Sequence, residues 1–128
     1  MPELLADHTT LRLGGPAADY VRATDQDALV SAVRTADDAG RPVLLLGGGS
    51  NLVVADQGFD GVVVEAATTG VQVDSDGCGG AMVTVAAGES WDGLVARAVE
   101  EGWLGVEALS GIPGRVGATP IQNVGAYG

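Results

Sequence analysis

Two stretches of this chain carry hydrophobic side chains at helical spacing. Ala28, Leu29, Ala32, Val33 and Ala36 share one face, and Trp91, Leu94, Val95, Ala98 and Val99 follow at i, i+3, i+4, i+7 and i+8. Both patterns predict amphipathic helices. Thr24-Asp25-Gln26-Asp27 resembles a capping box for the first, with the hydroxyl of Thr24 at the start and an acid three residues on. Gly40 and Pro42 stop that helix; Ser90 caps the second and Gly102 ends it. Short apolar runs predict strands at 18–23, 43–46, 52–54, 61–65, 70–74 and 81–87, after a polar lead-in at 8–16. The mixed order predicts an α/β (α+β) fold. No internal repeat is visible, and 128 residues suffice for one domain with a core.

The most informative stretch is Val43-Leu44-Leu45-Leu46-Gly47-Gly48-Gly49-Ser50-Asn51-Leu52-Val53-Val54. Glycines without Cβ let backbone N–H groups turn inward and approach a ligand. Successive inward N–H groups make an anion-binding concavity. Ser50 and Asn51 add polar side chains. A second apolar run follows where a Rossmann phosphate loop would start a helix, and no G-x-x-x-x-G-K-[ST] is present. The expectation is strand, phosphate nest, strand; a glycine-rich hairpin without a ligand fits the same residues.

Net charge is −11, with six arginines and no lysine. A surface this acidic repels phosphate backbones, which argues against nucleic acid as a partner. A phosphate would have to be held mainly by backbone dipoles. The lone Cys78 sits in Asp76-Gly77-Cys78-Gly79-Gly80, read as a surface turn, with no His or second Cys beside it for a metal. The N-terminus lacks a signal pattern, and no apolar run approaches the ~20 residues that cross a bilayer. The expectation is a cytoplasmic protein with no membrane partner and no metal.

The last segment reads Ile112-Pro113-Gly114-x-Val116-Gly117-Ala118-x-Pro120-Ile121-Gln122-Asn123-x-Gly125-Ala126-Tyr127-Gly128. It closely resembles the signature of the UDP-N-acetylenolpyruvoylglucosamine reductases. Leu46-Gly47-Gly48-Gly49-Ser50-Asn51-Leu52 resembles that family's pyrophosphate loop. Thr9-Thr10 with Gly14-Gly15, Ala87-Gly88-Glu89-x-Trp91 and Gly105-x-Glu107-x-Leu109 resemble further family stretches, in order and spacing. The resemblance implies an FAD-binding fold of the vanillyl-alcohol-oxidase type, built as two small α/β subdomains that clasp the flavin. It implies non-covalent FAD, NADPH as hydride donor and a UDP-sugar substrate whose enolpyruvyl ether becomes a lactyl ether in peptidoglycan precursor synthesis. Carried over by motif, Gly47, Gly48, Gly49, Ser50 and Asn51 would hold the pyrophosphate. Gly114, Val116, Gly117, Ala118 and Pro120 would line the flavin, and Gln122, Asn123 and Gly125 would supply polar or backbone contacts near it. The family's Gly-Tyr-Arg-Asp motif, its proton-donating Ser and its late Glu do not occur here. No catalytic residue is therefore assigned, and residues 1–128 read as the FAD-binding domain alone, cut before the substrate-binding domain. Two alternatives remain: a non-catalytic FAD-binding module, and an FAD-linked oxidase of another substrate.

Plainer readings stand beside these. His8, the single histidine, is expected to be exposed. Trp91 is expected in the core and Trp103 at a core edge. Glu89 could meet the cofactor or serve as a first-turn helix carboxylate. Arg115, Asp25, Asp27, Asp37 and Asp38 are expected in solvent.

Overall fold

In the computed structural model, residues 1–75 and 80–125 are described. The Cys78 turn and the Ala126-Tyr127-Gly128 end of the signature lie outside them. The chain forms two compact units, Met1–Thr68 and Thr69–Gly128, in a mixed α/β architecture.

The first unit holds β1 (Ala17–Ala23), α1 (Gln26–Asp38), β2 (Val43–Leu46) and β3 (Phe59–Ala66). All three strands are parallel, in the order β1-β3-β2. The central strand β3 is buried from Gly61 to Glu65, the continuous apolar signature of a strand covered on both faces. Alternation along it sends Val62 and Val64 toward α1, where they meet Ala23 and Ala36 with Leu29, Ala32 and Val33. Val63 points the other way, into a cluster with Leu5, Ala17 and Leu46. That face is covered by the N-terminal segment, whose Leu5 and Ala6 amides donate to Gly15 and Gly14 carbonyls.

Three readings need correction here. Residues 52–54 form no strand. Leu52 and Val54 pack on the Leu5 cluster while Val53 is exposed, so burial alternates as in a strand, but β3 already has β1 and β2 on its two edges. Because β2 and β3 run parallel, the glycine loop is no hairpin either. The N-cap of α1 is Asp25, not Thr24. Its backbone is extended, and its carboxylate accepts from the Ala28 N–H at 2.8 Å, which satisfies one of the orphan donors of the first turn.

The second unit pairs β4 (Val71–Ser75) with β5 (Ala81–Val85) antiparallel, Val73 opposite Val83. Helix α2 (Trp91–Glu101) is capped by the Ser90 hydroxyl, which accepts from Gly93 N–H at 3.2 Å, and ends at left-handed Gly102. Trp91, Val95 and Ala98 are buried, but Val99 is 60% exposed, against expectation. At about 100° per residue, Val99 lies roughly 80° around the helix from Trp91, at the margin of the stripe centred on those three. Short 3-10 turns follow at Glu107–Leu109 and Val116–Ile121. No described helix is long and apolar enough to cross a membrane.

Candidate cofactor site

The glycine loop leaves the carboxyl end of β2, where parallel sheets generally place their ligands. Among the described residues, none of the amide N–H groups of Gly47, Gly48, Gly49 and Ser50 donates a hydrogen bond to the protein. Gly49 is buried and Gly47 and Ser50 are half-buried, so these donors take their acceptor, water or ligand, from outside the protein. They are uncharged dipoles, the kind of donor that this lysine-free chain can offer to a phosphate.

The glycines of this loop have different jobs. Gly49 is buried at φ 75°, and a Cβ there would lie 1.9 Å from the His8 carbonyl oxygen. The Gly49 carbonyl in turn accepts from Thr10 N–H at 3.0 Å. Gly49 is therefore glycine because the chain packs against it. Gly48 is exposed and has no positive φ, so neither packing nor backbone conformation accounts for a glycine there.

In the second unit, the segment from Gly114 is latched to the entry of α2. Trp91 N–H donates to Gly114 O, Val116 N–H to Glu89 O, and Gly117 N–H to Ala87 O, all within 2.9–3.0 Å. A short antiparallel bridge joins Ser90 and Arg115. Ala118 N–H donates to Arg115 O at 3.1 Å and Gln122 N–H to Ala118 O at 3.2 Å. The amides of Val116, Gly117, Ala118 and Gln122 are thus committed within the protein. A ligand would meet carbonyls, side chains and the exposed faces of Pro120, Asn123 and Gly125. Gln122 is half-buried, with its side-chain nitrogen out of solvent.

The remaining candidates resolve as follows. Trp91 is buried, and its indole N–H donates to Leu109 O at 3.0 Å. Trp103 is half-buried, with the Arg97 guanidinium 5.7 Å from its ring centre. Glu89 precedes the helix and accepts from Gly70 N–H at 2.8 Å, holding the start of β4. Arg115 is half-buried, not fully in solvent. Asp92 accepts from Gly111 N–H at 2.7 Å and from the Ser110 hydroxyl at 3.0 Å. These two donations, the backbone one first, hold its carboxyl below the ordinary carboxylate range.

His8 departs most from expectation. It is half-buried and stacks on Tyr20, ring centres 4.8 Å apart. Its Nδ1 lies 3.2 Å from the Tyr20 hydroxyl and its Nε2 2.5 Å from Glu3 Oε1. Tyr20 donates to Glu65 at 2.6 Å, and Arg22 reaches the same carboxylate at 3.4 Å. Glu65 is buried, which a carboxylate tolerates only with such partners. The sequence carried one signal for it: an acid closing the apolar run Val62-Val63-Val64.

The FAD binding domain family matches residues 17–128. The chain is 59% identical over 124 residues to the UDP-N-acetylenolpyruvoylglucosamine reductase of Cutibacterium acnes, covering 97% of this chain and 33% of that protein. Proteins of the same name from Saccharopolyspora erythraea and Thermobifida fusca are 62% and 57% identical, with 34% and 35% of their lengths covered. The chain spans about a third of the length of these relatives. The matched residues include both glycine-rich segments and the four open amides at the end of β2: this chain belongs to the FAD binding domain family.

Proposed function

We propose that this chain is the FAD-binding portion of an NADPH-dependent reductase that converts UDP-N-acetylglucosamine enolpyruvate to UDP-N-acetylmuramate for the cell wall. The row of open amides at 47–50 carries the reading of the site. The names of relatives at 57–62% identity support the activity. Residues 1–128 then form the cofactor portion, and nucleotide-linked substrates put the protein in the cytoplasm.

In this reading the backbone of Gly47, Gly48, Gly49 and Ser50, with the Asn51 side chain, holds the FAD pyrophosphate. Backbone dipoles suit it, because a preorganised N–H binds an anion without bringing a buried countercharge. Gly114, Val116, Gly117, Ala118 and Pro120 offer the flavin a surface of small residues. Gln122, Asn123 and Gly125 supply polar contacts at its edge. The two units would be the subdomains of an FAD-binding fold of the vanillyl-alcohol-oxidase type. Bound FAD would carry hydride from NADPH to the enolpyruvyl double bond. The chain's own residues bind and orient; Ser90 is committed to capping α2 and Ser110 to Asp92, so neither serves as the acid that protonates the substrate. That acid, and the UDP-sugar cleft, would come from elsewhere in a longer gene product.

The test is NADPH oxidation dependent on the enolpyruvyl UDP-sugar, run on the full-length product of the gene and on this 128-residue chain. Turnover by the former and none by the latter is expected. No turnover by the full-length product, with flavin bound, would favour a non-catalytic flavin module; oxygen consumption driven by an alcohol, without NADPH, would favour an oxidase.

A further inference from the structure

The hydrogen-bond network around His8 ends against the loop assigned to the pyrophosphate. The Tyr20 hydroxyl donates to Glu65 at 2.6 Å and lies 3.2 Å from His8 Nδ1, and His8 Nε2 lies 2.5 Å from Glu3 Oε1. The ring is thereby held at both nitrogens and along its face, between the N-terminal segment and two strands of the sheet. The backbone of the same residue lies against the loop. The His8 carbonyl fills the space a Gly49 Cβ would take, and Thr10 N–H holds the Gly49 carbonyl. Thr9 locks the connection, its buried hydroxyl donating to Leu13 O at 2.9 Å and accepting from Leu13 N–H at 3.1 Å. Nothing in the cofactor-binding motifs requires this histidine–phenol–carboxylate network.

We propose that His8 is a positioning residue for the diphosphate loop. Clamped between Glu3 and the Tyr20–Glu65 pair, it fixes residues 8–10 against Gly49 and so aims the amides of Gly47, Gly48, Gly49 and Ser50 at an anionic diphosphate. Remote partners that orient binding groups commonly matter at the level of ten- to a hundredfold in affinity, roughly as outer-shell partners do at metal sites. This inference rests on the assignment of the loop to the FAD pyrophosphate.

The experiment uses the full-length gene product, labelled with 15N, with FAD and inorganic pyrophosphate as probes. Tyr20→Phe keeps the stacked ring and removes only the hydroxyl; His8→Ala removes the clamp; His8→Gln restores a donor. FAD affinity should fall about tenfold or more in His8→Ala and Tyr20→Phe. It should recover in part in His8→Gln. Pyrophosphate should shift the amide resonances of Gly47, Gly48, Gly49 and Ser50 in the wild type and shift them less in the two weakened variants. If FAD and pyrophosphate move those amides but affinity is the same in folded His8→Ala and Tyr20→Phe, the positioning role is wrong and the loop assignment stands. Equal losses in all three variants that track only their melting temperatures also refute it, as a purely structural effect. If the wild type binds FAD without moving the loop amides, the loop assignment fails and the inference falls with it.

Discussion

The amide of Gly117 donates to the carbonyl of Ala87 at 2.9 Å, and a Cβ on Gly117 would lie 2.6 Å from the Ala87 Cβ. The segment expected to face the flavin is thus also welded to the chain entering α2. Gly117→Val should destabilise the second unit by about 1–3 kcal/mol, the usual cost of forcing extra carbons into a packed contact. Urea denaturation reads this directly, and an unchanged midpoint would mean that the contact is loose.

Gly49 should prove a folding residue before it is a ligand residue. With φ 75° and the His8 carbonyl in the way, Gly49→Ala combines left-handed strain with a backbone clash. The strain alone costs of order 1–3 kcal/mol. Thermal melting of the flavin-free protein should show the loss without any cofactor present. A variant as stable as the parent contradicts the packing described.

Much of this architecture was legible in the residue pattern, and the failures have physical causes. Leu29, Ala32 and Val33 announced the buried face of α1 because helix amphipathicity is local. Leu52 and Val54 imitated a strand because alternating burial does not require a ladder; which strands pair is decided by partners far along the chain. Asp25 displaced Thr24 as cap because either residue can accept from the first turn, and only the backbone angles decide between them. In the loop, Gly47, Gly48 and Gly49 read alike, yet Gly49 is fixed by contact with His8, which lies 41 positions away. The relay through Tyr20 to Glu65 was invisible for the same reason: strand register, not spacing, brings Arg22 beside Glu65.

Asp92 ties the first turn of α2 to the Ser110-Gly111 turn that leads to the candidate flavin surface. Its carboxyl is held below the ordinary range by the Gly111 N–H and the Ser110 hydroxyl. A depressed folded pKa means that the tether contributes fully above the unfolded carboxylate pKa and is lost as pH falls through the lower, folded value. The Gly111 amide resonance should therefore titrate below the usual carboxylate range, and Asp92→Asn should abolish that titration. A Gly111 resonance that moves at ordinary carboxylate pH would contradict the tether.

Bound flavin should leave the protein intact on denaturation. His8, the one histidine, has its ring engaged with Glu3 and Tyr20 in the first unit. Acid precipitation of the flavin-loaded protein should leave all flavin fluorescence in the supernatant. Flavin retained on the washed polypeptide would show a covalent link.

The central claim is that the open amides after β2 hold the FAD pyrophosphate, and Gly48→Val tests it most directly. Gly48 is exposed and has no positive φ, so the fold should tolerate the side chain, while the loop's open face becomes blocked. The measurement is the ratio of flavin to protein absorbance in the purified full-length product, with circular dichroism as the check on folding. The account predicts a folded variant stripped of flavin; a folded variant that retains full flavin occupancy would contradict it.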